Sequence, residues 1–242
     1  MTPPTEDASA GHPGAVLFDI DGTLVDSTYL HVHAWARAFA DLADDLPAPV
    51  DTWRIHRGIG MGSALLLADL LGEQAADRLG DRAKSRHEHH YGELTRAGLQ
   101  RAFDGARDLV RAVAERGARA VLATSAGPAE LEQLRAVLDL DDVVAGITSD
   151  QDVAAAKPEP DLVHAALRVA DVPADRAVLV GDTGWDVEAA RRAGVACVAV
   201  RSGGWSEAEL REAGAAAVYR DVAALLADLD QSPIAFTWHH ED

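Results

Sequence analysis

Short apolar runs recur along the chain at 15–19 (AVLFD), 118–123 (ARAVLA), 177–180 (AVLV) and 195–200 (VACVAV), and segments of helical length separate most of them. Parallel neighbours cannot be joined by tight hairpins and need crossover connections, usually helical. Runs that are apolar throughout, without alternation, suit strands covered on both faces. The spacing therefore predicts an α/β chain: a Rossmann-like parallel sheet with helices on both faces. The intervening helices are expected at 105–116, closed by Gly117, and at 128–138, 158–170 and 185–193, the last closed by Gly194. A short strand near Val143, another at 216–219 and a helix over 222–229 complete the pattern.

One stretch breaks this rhythm. Residues 26–98 contain no convincing strand. A helix is expected at 27–46, with Leu30, Ala34, Ala38 and Leu42 on one stripe and Pro47 and Pro49 beyond its end. Further helical stretches follow at 51–56, at SALLLADLL after the glycine-rich RGIGMG, and over the polar segment 73–96. The expected organisation is a discontinuous α/β core at 15–25 and 99–230, an inserted all-helical domain at 26–98, and flexible termini at 1–14 and 231–242. A chain of 242 residues, 48% hydrophobic, has material for one large core plus such an insert.

Composition narrows the function classes. With 22 Lys+Arg against 40 Asp+Glu, the formal charge of -18 disfavours nucleic acid and anionic membrane surfaces as partners. The longest apolar runs fall well short of the roughly 18 residues that a membrane helix needs. The first residues carry acids and prolines rather than the parts of a secretory signal. Cys197 is the sole cysteine, so no internal disulfide forms, and a cytoplasmic protein is expected. The same negative field would repel a phosphorylated metabolite, so a phosphate site must gather positive charge locally.

Ligands of open parallel sheets sit beyond the carboxyl ends of the strands. At those ends stand Asp19, Asp21, Gly22 and Thr23, then Thr124 and Ser125, then Lys157 before Pro158, then Gly181, Asp182 and Asp186. Carboxylates from separate strands make an oxygen-rich pocket for a hard cation, Mg²⁺ above all. One carboxylate facing phosphorus can act as nucleophile, which is the expectation for Asp19. A second, Asp21, can protonate the departing alcohol and later deprotonate water. Thr124, Ser125 and Gly22 are expected to hold phosphate oxygens, and Lys157 to neutralise charge on nucleophile and phosphoryl group.

FDIDGTLVDS, LATS, KPEP and GDTGWDVEAA, in that order, resemble the four motifs of the haloacid dehalogenase-like hydrolase superfamily, over residues 15–221. The insert's place after the first motif is similar to the C1-type helical cap of the phosphoglycolate phosphatase-like branch. The resemblance implies Mg²⁺ held by Asp19, the backbone carbonyl of Asp21 and Asp182, with Asp186 supporting through water. It implies a phosphatase for small phosphorylated metabolites, acting through an aspartyl-phosphate, while the sequence leaves monomer and homodimer both open. Asp21 sets the chain apart from true dehalogenases, which lack that aspartate.

The segment DSTYLHVHAW, with His31, resembles the cap helix of β-phosphoglucomutase, so a phosphosugar mutase stands as the alternative. GDTGWD resembles the phosphatase form of the fourth motif and favours hydrolysis. A non-catalytic phosphate-binding regulator is the alternative from another class. RGIGMG, with Arg54, Arg57 and Gly58, resembles the cap loop that closes over the core, and Arg57 and His31 are assigned to substrate binding. The insert's only lysine, Lys84, lies in a polar helical run and is a poor candidate for Schiff-base chemistry. RHEHHY, with His87 and His90, reads as a solvated helix face ahead of a transition-metal site, and Arg201 with SGGW falls near the rim of the site.

Overall fold

The computed structural model describes residues 13–149 and 155–238. Its strands are β1 (Ala15–Phe18), β2 (Arg119–Ala123), β3 (Gly146–Thr148), β4 (Ala177–Gly181), β5 (Ala196–Val200) and β6 (Ala217–Tyr219). They form one parallel sheet in the order β3-β2-β1-β4-β5-β6. The sheet fans outward from β1, and Phe18 pairs in register with Leu122 of β2 and Val180 of β4. Central strands that end level bring the residues just beyond them to one edge.

Side chains alternate across a strand, and β1 serves both faces. Val16 and Phe18 enter a core with Leu109, Val110 and Val113 of α5 (Ala106–Glu115), Leu134 and Leu138 of α6 (Pro128–Leu138) and Leu225 of α10 (Val222–Ala227). Ala15 and Leu17 enter the opposite core with α7 (Asp161–Ala170), α8 (Gly184–Ala193) and Leu210 of α9 (Glu207–Ala213). The insert holds α1 (Thr28–Asp41), α2 (Thr52–Gly58), α3 (Ser63–Leu71) and α4 (Glu73–Arg96). Val32, Trp35, Phe39, Leu66, Leu67 and Leu70 lie in a third core of their own, with α1 and α3 packed along α4. None of the described helices is long and apolar enough to cross a membrane.

Three sequence expectations shift. The strand expected near Val143 lies at Gly146–Thr148. Val143 instead closes a turn through its N–H to the Leu140 carbonyl, 2.9 Å, and its apolar side chain packs on the core from there. Helix α7 begins at Asp161, because residues 157–160 form a turn that delivers Lys157 to the sheet edge. The C-terminal segment is not loose as far as it is described: Pro233–Thr237 forms a 3₁₀ turn that buries Ile234 and Thr237, and the Thr237 carbonyl accepts the Gly14 N–H at 3.1 Å. Residues 1–12 and 239–242 lie outside the described residues.

Candidate active site

Where β1 ends, the Asp19 N–H still donates to the Val180 carbonyl at 2.9 Å, so the carboxylate projects at the sheet edge beside β4. The chain then folds into a tight turn in which the Ile20 carbonyl accepts from the N–H groups of Thr23, Leu24 and Val25. Gly22 occupies the left-handed region at φ 80°. A Cβ there would lie 2.3 Å from Thr28 Oγ1 and 2.4 Å from Asp182 Oδ2, so only glycine lets the turn close against the carboxylates.

The buried carboxylates of Asp19, Asp182 and Asp186 each bring an oxygen within 4.8 Å of the others. Lys157, itself buried, reaches Asp19 Oδ1 at 2.5 Å and Asp186 Oδ1 at 2.6 Å. Thr23 Oγ1 donates to Asp182 Oδ1 at 2.9 Å and lies 3.3 Å from Asp19 Oδ2. Asp186 Oδ2 accepts the Thr183 N–H and hydroxyl while the Thr183 hydroxyl caps α8, an exchange that fixes this carboxylate. Asp182 Oδ2 is buried with no hydrogen-bond partner.

Burial pushes the Asp19 carboxyl up to about 7, with Asp186 and Asp21 adding to the rise and Lys157 opposing it. Burial likewise raises Asp182 well above the usual carboxylate range, and its neighbours Asp186 and Asp19 add to this. Three buried acids facing one ammonium leave negative charge uncompensated. The orphaned Asp182 oxygen and the all-carboxylate donor set fit a hard divalent cation, and Asp19 and Asp182 are the residues placed to hold it. Asp186, engaged by Lys157 and Thr183, is placed to support it.

Asp21 lies above this floor. Ser27 Oγ donates to its Oδ1 at 2.5 Å, His31 Nε2 lies 3.4 Å from the same oxygen, and Thr124 Oγ1 lies 3.4 Å from Oδ2. Burial alone would raise the Asp21 carboxyl, yet the His31 contact, Ser27 and Lys157 together hold it below its ordinary value. His31 also pairs with Glu130 Oε1 at 3.0 Å and stacks on Tyr91, ring centroids 4.1 Å apart. Although burial opposes protonation, Glu130 and Asp21 push His31 up to about 10, which keeps it an imidazolium.

A cavity of about 280 Å³ spans core and insert. Asp19, Asp21, Lys157, Ser125 and Thr183 line its core side, and His31, Trp35, Met61, Lys84 and His87 its insert side. Thr124 is buried beneath, its hydroxyl accepting the Ala126 N–H at 3.0 Å, and Gly181 leads from β4 to Asp182.

The loop RGIGMG does lie on the core, with Gly60 over Thr183 and Trp185 and Gly62 against Ala156. Arg57 and the preceding Arg54, however, do not line the cavity. Arg57 lies 3.6 Å over the Trp205 ring, pairs with Glu209 at 2.9 Å, and its carbonyl accepts the Trp185 indole N–H at 3.0 Å. Arg54 donates to the Asp69 carbonyl within the insert. Arg201 is exposed, while its neighbour Ser202 donates to the Gly22 carbonyl at 2.5 Å.

RHEHHY divides between two surroundings. His87 faces the cavity, stacked on Trp35 with ring centroids 4.3 Å apart, whereas His90 is held between Asp41 and Glu93. His89, His90 and Glu93 approach one another within 4.8 Å, but both ring nitrogens of His90 already face carboxylates and Arg37 occupies Glu93 at 2.9 Å. Spacing alone did not point to Glu130, and it placed Trp205 of SGGW only near the rim, because their partners are fixed only by how the insert lies on the core.

Residues 13–194 match the family model of the haloacid dehalogenase-like hydrolases. A phosphoglycolate phosphatase of Rhodospirillum rubrum is 36% identical over 220 residues, spanning 88% of this chain and 89% of its own. The crystal structure of a hydrolase from Pseudomonas syringae superposes with a TM-score of 0.82 at 36% identity, covering 90% of this chain and 98% of that one. CbbY from Rhodobacter sphaeroides, crystallised in complex with phosphate, gives a TM-score of 0.70 at 27% identity, covering 90% and 99%. Family model, relatives and geometry agree: the chain belongs to the haloacid dehalogenase-like hydrolases.

Proposed function

We propose that the protein is a Mg²⁺-dependent phosphatase that hydrolyses small phosphate monoesters through a phosphorylated Asp19. The observation that carries this reading is the joint placement of buried Asp19, Asp182, Asp186 and Lys157 at the floor of a cavity roofed by helices. Asp19 and Asp182 would hold the ion, with Asp186 in support and the Asp21 carbonyl contributing as the family resemblance implies. The bound ion would offset the negative charge of ester and carboxylates. Phosphoglycolate, the substrate named for the Rhodospirillum relative, is the reference compound.

The Asp19 carboxylate attacks phosphorus as the ester oxygen departs. Its nucleophilicity requires the ionised form, which Lys157 favours against the effect of burial. Asp21 delivers the proton to the leaving alcohol, and because the His31 contact favours its ionised form it must first take that proton up, from the adjacent imidazolium or from solvent. The His31 imidazolium, 3.4 Å from Asp21 Oδ1, lies next to the carboxyl that must gain and lose that proton. Asp21 then takes a proton from the water that attacks the phosphorylated Asp19, restoring the carboxylate and releasing phosphate. Thr124, Ser125 and the nearby backbone N–H groups would hold the phosphoryl oxygens, and the insert keeps bulk water out.

The same His31 contact supports a second reading, a phosphosugar mutase, in which the phosphoryl group returns to another hydroxyl of the sugar. The buried Cys197 fits a reducing, cytoplasmic setting. The test is Asp19→Asn, assayed for phosphate release from phosphoglycolate, sugar phosphates and an aryl phosphate with Mg²⁺. A loss of about a thousandfold or more is expected for removal of a nucleophile. Activity within tenfold of wild type would refute the reading, and isomerised sugar phosphate without free phosphate would favour the mutase.

A further inference from the structure

We propose that Lys84 binds a second anionic group of the substrate, a carboxylate or second phosphate, and so selects phosphate esters that carry one. This rests on the phosphatase reading above and adds to it the part of the substrate that does not react. The sequence reading set Lys84 aside as a Schiff-base candidate because it lies in a polar helical run. The structure instead places it on the lining of the cavity, on α4, one turn before His87 and Glu88, which line it too.

Cations facing the cavity are few, and their commitments decide what each can do. Lys157 is held between Asp19 and Asp186, and His31 between Asp21 and Glu130. Lys84 is half-buried, and among the described residues it has no carboxylate within ion-pair distance. It is thus the cation on the cavity wall still able to receive a ligand charge. Asp19, Asp21, Glu88 and Glu130 also line this space in a chain of formal charge -18. A second anion on the substrate would be repelled here unless a dedicated cation received it.

Place and size fix which part of the ligand Lys84 meets. Asp19 lies on the core side and Lys84 on the insert helix, so an ester with its phosphorus at Asp19 extends its remaining atoms toward the insert. Trp35, Ile59, Met61 and Leu66 supply apolar wall along the way. The cavity, about 280 Å³, lies just below the roughly 300–1,000 Å³ typical of pockets for drug-sized ligands, which favours a short carbon skeleton. A compact ester with one anion at each end matches these features.

The experiment compares phosphoglycolate with 2-hydroxyethyl phosphate, which has the same skeleton with a hydroxymethyl group in place of the carboxylate. The ratio of their kcat/KM values is measured in wild type, Lys84→Met and Lys84→Arg. In Lys84→Met the preference for phosphoglycolate should fall about tenfold or more, through KM, as expected for one lost charge-assisted contact. Lys84→Arg should keep most of it. An unchanged ratio in Lys84→Met overturns the proposal, as does an equal loss on both substrates, which would mark a structural role. If wild type hydrolyses neither these esters nor the sugar and aryl phosphates, the phosphatase reading fails by itself, and calorimetric binding of phosphonoacetate still decides the fate of Lys84. Weaker binding to Lys84→Met supports it, and equal binding overturns it.

Discussion

Replacing Asp182 by Asn should make the metal-free protein more stable and the enzyme inactive. Asp182 Oδ1 has the Thr23 hydroxyl as donor, while Oδ2 is buried without one, among carboxylates that raise its cost of ionisation. A buried unsatisfied polar atom costs about 1–3 kcal/mol, more when charged. An asparagine amide in the same place keeps the Thr23 contact and turns a donor toward Asp19 and Asp186. The gain of about 1–3 kcal/mol corresponds to a melting temperature raised by roughly 2–12 °C for a chain of this size. Wild type should gain from the ion instead: free Mg²⁺ at a hundred times its dissociation constant adds about 2.7 kcal/mol. Scanning calorimetry at pH 8, in chelator and then in Mg²⁺, should show the variant melting higher in chelator and failing to respond to the ion. A variant that melts lower in chelator, or gains as much from Mg²⁺ as wild type, would refute the assignment of Asp182 as the uncompensated ligand.

Gly22→Ala should lower stability by about 2–5 kcal/mol in urea titration, joining a left-handed backbone penalty to the steric conflict with Thr28 and Asp182; a change below about 0.5 kcal/mol would show the turn is not locked. His87 supplies the pH dependence: burial first, and then the charges of His31 and His90, hold its pKa down at about 2 against 6.5 in the unfolded chain. Its contribution is therefore complete above pH 6.5 and is lost as pH falls toward 2. Wild type should lose up to about 1.4 kcal/mol per pH unit below 6.5 relative to His87→Phe, followed through urea midpoints at pH 7, 6 and 5. Parallel midpoints in the two proteins would refute the buried neutral imidazole.

The floor of the site was legible because parallel strands leave so little freedom. Once AVLFD and AVLV are adjacent strands in register, Asp19 and Asp182 must share an edge, and the helix start fixed by Thr183 turns Asp186 toward them. Lys157 was legible only as a type in a place, since the turn at 157–160 that aims it has no periodicity to read. The roof was less legible. Which face of α4 looks into the cavity depends on how α1 and α3 pack against it, so His87 resembled part of a solvated helix face and Lys84 a member of a polar helical run. Arg57 was assigned to substrate through the resemblance of RGIGMG to a closing cap loop; the loop does lie on the core, but Trp205 and Glu209 take up the guanidinium.

The position of Arg57 also bears on how substrate enters. The two connections between core and insert run side by side, with Val25 bridged to Ala102 and the Asp26 N–H donating to the Arg101 carbonyl at 2.9 Å. Two paired connecting segments resist translation more than bending, so rotation about that pair is the motion this geometry leaves easiest for the insert. Away from this pair, α2 is fastened by the Arg57 contacts to Trp205, Glu209 and Trp185 and by His56 Nε2, 2.8 Å from the Gly203 carbonyl. An exposed ion pair, a cation–π contact and two hydrogen bonds sum to on the order of 2–5 kcal/mol. An opening rotation of the insert would have to break this fastening, a cost within reach of the microsecond-to-millisecond lid motions of enzymes. Because the fastening lies on α2 while Lys84 lies on α4, closure and substrate choice are assigned to different helices, and each can be altered without touching Asp19.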